Sequence, residues 1–448
     1  MIQRDRTEPD KPKRSKRAAE SMTWSWSRSS ADILLNREEP QIMHIDLNSA
    51  FANAEQQAHP SLRGKPLGIT NRLSKHCCVI AASYEAKAFG IKVGMRLDEA
   101  KLLAPNLIML ETDPPKYHHM YKKITGIMKN YSPHIQMKSI DEGIIDFHDT
   151  RTHINQRSLI TIGYEIKQRV KTELGDWMRI NIGIGPNRFL AKTAAGLNKP
   201  DGLDYIDWRN LKSVYSKLEL TDLTGIANHF EARLNAAGIF TPIQFLEAPS
   251  DTLRRLVFKS VVGEDWHKRL RGYEVDHNPT KLGNVGRQFV LDERSDKDSV
   301  ILPRFQYLCE TTGKKLRYNG VDARGVLVWA TFQTGDSWYQ RKIFKTSFYT
   351  NRDVYERALY LFNQRPRHLI VTSMGITCYQ LTPTSRSQLS IMEGVNKEEW
   401  LTTAIDEINE RYGDFTLVSA NAAIGKKRVK QKIPFGGTKY FDLLLGHA

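Results

Sequence analysis

From Gln41 onward the apolar residues cluster in ways that mark strands and helices. Ile42, Met43, Ile45 and Leu47 surround His44 and Asp46, apolar enough for a buried strand with a carboxylate near its end. A helical stretch follows at about 49–58, and 60–112 reads as a small mixed lobe closing with Leu97–Leu103 before Pro105. A helix from about Lys116 to Tyr131 leads to a strand at Ile135–Ile140. The dipeptide Asp141-Glu142 comes next, then a third apolar run, Gly143–Phe147. A helix at about 157–174 and a strand at Arg179–Gly183 complete an α/β unit.

Residues 206–275 are helical in pattern and interrupted by glycines, and Glu274–Gly283, with Asn278 and Pro279, reads as a linker. Beyond it the pattern predicts a strand at 286–291 and a helix near 301–317, with Phe305, Leu308, Thr312 and Leu316 on one face. Strands at Gly325–Phe332 and Trp338–Phe344, a helix near 352–363 and a strand at His368–Leu381 follow. That order, β-α-β-β-α-β, makes a four-stranded sheet with two helices. Residues 382–448 read as a polar segment, a short helix around 397–411 and a basic tail, and 1–39 as a disordered tail that carries Trp24 and Trp26 as a chance pair.

Composition narrows the class. The 448 residues suffice for two to four domains. A formal net charge of +16 points to a polyanionic partner, nucleic acid or an anionic surface. No apolar run approaches the ~18 residues needed to cross a bilayer, and the polar N-terminus lacks the apolar core of a signal peptide. Cys77, Cys78, Cys309 and Cys378 show no CxxC pairing, which predicts reduced thiols in a cytoplasmic protein.

The candidate chemistry lies in the acids. Metal-assisted phosphoryl transfer needs hard oxygen ligands that hold two Mg²⁺ ions a few ångströms apart. Asp46, Asp141 and Glu142 suit that task if their strands are neighbours. Successive strand residues point to opposite faces, so Asp141 and Glu142 share a site only if the chain bends there. On pattern alone the three acids read equally well as solvated strand-end residues, the reading given to Asp113, Asp146 and Asp149. No GxxxxGK[ST] loop occurs, and the GxGxxG begun by Gly183 and Gly185 fails at Arg188. His118-His119 reads as part of a surface helix.

Taken in order, four segments carry a family resemblance. They are His44-Ile-Asp-Leu-Asn-Ser-Ala-Phe-Ala, Tyr84-Glu-Ala-Lys-Ala-Phe-Gly-Ile, Ser139-Ile-Asp-Glu142, and Gly183-Ile-Gly-Pro-Asn-Arg-Phe-Leu-Ala-Lys192 followed by Asn198-Lys-Pro-Asp-Gly202. The chain resembles the Y-family DNA polymerases, most closely the DNA polymerase IV (DinB) branch, over about 41–392. The resemblance implies an α+β, multidomain, right-hand polymerase. Its palm is 40–50 and 113–205, its fingers 51–112, its helical thumb 206–275 and its linker 276–284. The β-α-β-β-α-β little finger is 285–381, and 382–448 is a clamp-docking and basic C-terminal region. It implies a translesion DNA-directed DNA polymerase of low fidelity that adds a dNTP to a primer 3′-hydroxyl in DNA damage tolerance. A non-catalytic DNA-binding or clamp-associated module, and a cyclase or nuclease, are the competing readings. The intact carboxylates count against the module, and the gate and thumb motifs against the other enzymes.

Residue by residue, the resemblance implies that Asp46, Asp141 and Glu142, with the Leu47 carbonyl, hold two Mg²⁺ ions, with Mn²⁺ an alternative. Phe51 falls at the steric gate against a ribonucleotide 2′-OH, and Tyr84, Lys87 and Lys199 hold the triphosphate. Gly225, Ile226 and Ala227 resemble a helix-hairpin-helix that offers backbone N–H groups to a DNA phosphate. Arg287, Arg341, Lys342 and Lys345 are candidate phosphate contacts. Gln388, Leu389, Ser390, Ile391 and Met392 resemble the motif that docks on a sliding clamp, whereas the basic run Lys426–Lys432 reads from its charge alone as either a DNA contact or a charged solvated tail. Primer–template DNA, a dNTP and the clamp are the implied partners of a monomer that binds no membrane. The sequence departs from the family at Lys87 (usually Arg), Ala81 (often Ser or Thr), Asn48, Ala50 and Ala227. Lys87 turns a bidentate fork into a point charge.

Overall fold

A computed structural model describes residues 34–74, 77–150, 157–277, 281–384, 393–413 and 415–429. The predicted N-terminal tail and the 388–392 segment lie outside the described residues, apart from 34–39 of the tail. The chain forms two compact units. One comprises the described residues of Met1–Ile45, Ile144–Glu165 and Asn181–His277, the other those of Asp46–Gly143, Ile166–Ile180 and Asn278–Ala448.

Among the described residues twelve strands form three sheets. They are β1 (Ile42–Leu47), β2 (Leu67–Thr70), β3 (Ala81–Ala82), β4 (Ile108–Glu111), β5 (Ile135–Met137), β6 (Glu142–Asp146), β7 (Ile180–Gly185), β8 (Leu203–Tyr205), β9 (Asn284–Ser295), β10 (Val321–Phe332), β11 (Ser337–Phe348) and β12 (Val371–Pro383). The sheet orders are β5-β6-β1-β7-β8, β3-β2-β4 and β11-β10-β12-β9. β1 and β7, inner strands of the first sheet, are buried almost throughout.

The glycines of β7 have a packing reason. A Cβ at Gly183 would lie 2.1 Å from both the Ala191 carbonyl oxygen and the Ala195 nitrogen, so only glycine lets the helix Arg188–Leu197 lie this close to the strand. Asn187 caps that helix by accepting from the Leu190 N–H at 2.7 Å.

In the third sheet all three pairings are antiparallel. The helices Asp298–Tyr318 and Asn351–Phe362 cover one face, over a core that includes Phe305, Leu308, Val328, Phe362 and Ile376. These elements run β-α-β-β-α-β, with β9, β10 and β11 several residues longer than the periodicity predicts.

The C-terminal reading needs correcting. Two helices stand there, Glu393–Tyr412 and Ala420–Arg428, where one short helix and a tail were expected. Phe415, Ala422 and Val429 enter the same core, and Arg317 pairs with both oxygens of Asp406 at 2.5 and 2.8 Å. The small inward residues Ala422 and Gly425 allow this close packing. Lys426, Lys427 and Arg428 end the second helix, where cations meet the negative end of the helix dipole.

Candidate active site

The bend required of the acids is present. β5 and β6 are joined by residues 138–141, where the Lys138 and Ser139 N–H groups both donate to the Glu142 carbonyl, at 2.9 and 3.2 Å. Asp141 therefore lies in the turn and Glu142 begins the strand, which frees the two side chains from strict alternation. Beside them, the Leu47 N–H donates to the Asp141 carbonyl at 2.8 Å, so the end of β1 carries Asp46 to the same place.

Crowding of these charges is visible in their ionisation. Burial raises the Asp141 pKa above the usual carboxylate range, and the charges of Asp46 and Glu142 push it further. The Ser139 hydroxyl donates to Asp141 and works the other way. A divalent cation would relieve this repulsion, and hard carboxylate oxygens are the donor set that such an ion takes. Among the described residues, His44, Asp46 and Glu142 also each offer a ligand atom, all within 4.8 Å of one another.

Ser49 turns the chain out of β1 with φ of 45°, a left-handed conformation, and the helix Ala50–Ala58 begins. That turn sets Phe51 on the helix's first turn. Phe51 is buried and stacks on Tyr117, with ring centroids 4.5 Å apart and planes 19° from parallel. Ala50, also buried, stands in the first position of the same helix.

The helix Tyr84–Ala88 is capped by the Ser83 hydroxyl, which accepts from the Ala86 N–H. Lys87 Nζ donates to Ser49 Oγ at 2.8 Å and sits 4.7 Å from the centre of the Tyr84 ring. The lysine's point charge is thus tied to the turn that precedes Phe51. Burial raises the Tyr84 pKa, the Asp46 charge adds to this, and the Arg179 charge opposes it.

Arg179 is a residue that sequence reasoning missed. Its carbonyl accepts from the Asn48 N–H at 2.9 Å, and its guanidinium covers the Trp177 ring at 4.9 Å. No motif signals it, because it is one arginine ahead of an apolar run. Lys199 is exposed in the turn after the helix Arg188–Leu197, at a cis peptide bond to Pro200.

Gly225 has φ of +96° and precedes Ala227, the N-cap of the helix Asn228–Ala236. Gly225 and Ala227 are exposed, whereas the Ile226 side chain is buried in the core around Phe245 and Trp266. Ile226 can therefore offer DNA only its backbone.

The four basic candidates of the third sheet divide between its faces. Residues directly opposite in a ladder point to the same side. Lys342 pairs with Val326 and Arg287 with Ile376, and both partners are core residues under the helices. Lys342 Nζ accordingly lies 4.6 Å from the Tyr360 ring, and burial lowers the Arg287 pKa. The register thus sets these two candidates on the helix-covered face of the sheet. Arg341 pairs with Leu327 on the open face, beside the Trp329–Tyr339 pair, and Lys345 is exposed at the same alternation.

Among the described residues no helix is long and apolar enough to cross a membrane. Residues 45–196 match the model of the impB/mucB/samB family, and 284–391 match the C-terminal domain of that family. The chain is 30% identical over 390 residues to a DNA polymerase IV of Pelotomaculum thermopropionicum, spanning 85% of this chain and 94% of that protein. It is 30% identical over 400 residues to a DNA polymerase IV of Bacillus anthracis, spanning 87% and 95%. A solved Y-family DNA polymerase chimera of Dbh and Dpo4 superposes with a TM-score of 0.65 at 24% identity, covering 76% of this chain and 98% of that one. At that identity the likeness speaks for the fold.

Proposed function

Because the chain belongs to the impB/mucB/samB family of Y-family DNA polymerases, of the DinB kind, we propose that Asp46, Asp141 and Glu142 are its nucleotidyl-transfer centre. The chain is a translesion DNA-directed DNA polymerase, its catalysis depends on divalent metal ions, and its partners are DNA and nucleotides. The reading of a non-catalytic module is not favoured. The observation that supports the site most directly is the pairing of Leu47 with Asp141, which brings three carboxylates to one point and leaves one of them hard to ionise.

The three carboxylates and the Leu47 carbonyl would hold two Mg²⁺ ions. When bound, these lower the pKa of the primer 3′-hydroxyl and stabilise charge on the triphosphate. Tyr84, Lys87 and Lys199 would orient the triphosphate by hydrogen bonding and charge. Phe51 would close the sugar pocket, with no room beside its ring for a 2′-hydroxyl. The test is primer extension on undamaged and lesion-bearing templates with Mg²⁺. No extension by the intact chain, a 51.4 kDa monomer in this reading, would remove the proposal.

DNA would be gripped by backbone N–H groups after Gly225 and by the open sheet face. Each lost phosphate contact lowers the slope of log K against log salt by about 0.9. Arg341→Ala with Lys345→Ala should therefore reduce the slope by about 1.8, read by fluorescence anisotropy on duplex DNA. Lys342→Ala should leave it alone, and equal effects from all three would dissolve the distinction between the faces. Gln388–Met392 would dock on a sliding clamp. Its deletion should abolish clamp-stimulated synthesis at an unaltered basal rate, and stimulation that survives the deletion would refute the assignment.

A further inference from the structure

Behind the Phe51 ring lies a charged pair, a buried carboxylate and a half-buried lysine, to which no motif gives a task. The Tyr117 hydroxyl donates to Glu55 Oε1 at 2.9 Å, and Lys116 Nζ donates to Glu55 Oε2 at 2.6 Å. Glu55 stands four residues after Phe51 in one helix, so the two share a face. Lys116 and Tyr117 open the helix Pro114–Lys129, whose cap Asp113 accepts from the Lys116 N–H at 3.1 Å. The Glu55 side chain is 5% exposed and Tyr117 is fully buried.

We propose that Glu55 is a positioning residue for sugar discrimination. By accepting from the Tyr117 hydroxyl it fixes the ring that holds Phe51 against the sugar of the incoming nucleotide. The inference rests on Phe51 being the gate. Stacked rings attract one another but slide at little cost, because dispersion is not directional. A hydrogen bond to a buried carboxylate is directional and charge-assisted, so it pins the ring in its plane. Burial and the Glu55 charge both raise the Tyr117 pKa, which keeps the proton on the phenol as a donor. Lys116 supplies the charge that an isolated buried carboxylate lacks. Burial alone would lower the Lys116 pKa, and Glu55 reverses this.

A purely structural pair would fasten two helices and nothing more. The two roles separate in one measurement, the ratio of kcat/KM for a dNTP to that for the matching rNTP. Both rates scale with the same concentration of folded enzyme, so partial unfolding cancels in the ratio. We compare the intact chain with Phe51→Ala, Tyr117→Phe and Glu55→Ala on one primer–template. Tyr117→Phe, which keeps the ring and loses the bond, should lower the ratio about tenfold, chiefly through faster rNTP use. Glu55→Ala should lower it at least as much. If Glu55→Ala does not fold, Tyr117→Phe decides alone. A ratio lowered by Phe51→Ala but not by Tyr117→Phe overturns the role of Glu55 and leaves the gate standing. A ratio unmoved by Phe51→Ala overturns the gate itself, and this inference with it.

Discussion

Asp141→Ala is expected to abolish primer extension while the protein stays folded. Metal-assisted charge stabilisation contributes several kcal/mol to such a transition state. At about 1.4 kcal/mol per factor of ten, its loss slows the reaction roughly 10³-fold or more. The stability effect has the opposite sign. Folding raises the Asp141 pKa, through burial first and then through Asp46 and Glu142. Ionised Asp141 therefore destabilises the metal-free fold at neutral pH, and that cost disappears only as pH falls below the unfolded-state value. Alanine removes it, so the metal-free variant should melt no lower than the parent. Unchanged extension would remove Asp141 from the reaction. Lost extension with a collapsed melting temperature would assign it to the fold instead.

Phe51→Ala is the second large effect, and it is one of selectivity. A pocket that rejects a hydroxyl by shape alone discriminates roughly 10–10²-fold, so the dNTP-to-rNTP preference should fall by about that much. Removing a buried ring stacked on Tyr117 also leaves a cavity, which costs about 3–5 kcal/mol where the site cannot collapse. A smaller yield of folded protein is therefore expected alongside the altered preference. Single-nucleotide insertion with matched dNTP and rNTP reads the preference, and an unchanged ratio would leave Phe51 as a core residue.

Much of this was legible in the chain. The strand bearing Asp46, the apolar runs around Asp141-Glu142 and the β-α-β-β-α-β order all have the right type and place. The apolar pattern carried them, because inner strands such as β1 and β7 are buried almost throughout and place an isoleucine, leucine or methionine at half or more of their positions. Ends were less legible. β9 continues through Asp292-Glu293-Arg294-Ser295, four polar residues that a hydrophobic pattern cannot claim for a strand.

The remainder depends on which residues meet. Arg287 and Arg341 look alike in sequence, and only the register against Ile376 and Leu327 sends them to opposite faces. Glu55 and Tyr117 are 62 residues apart, and neither shows a pattern pointing to the other. Arg179 acts through its place beside Asn48, which strand pairing decides. Helix Ala420–Arg428 was hidden because its inward residues are small, and small residues score weakly as apolar.

That last helix has a consequence for how the family's parts can be exchanged. The C-terminal domain model ends at residue 391, but Phe415, Ala422 and Val429 belong to the core beneath the third sheet. A Cβ at Gly425 would lie 2.2 Å from the Pro303 carbonyl oxygen, so the two backbones have been fitted to each other. A graft of this domain onto a relative's catalytic half, cut where the family model stops, would lose both C-terminal helices and with them Phe415, Ala422 and Val429 of its own core. A chimera that is to keep this core whole would have to take the chain from β9 through Val429.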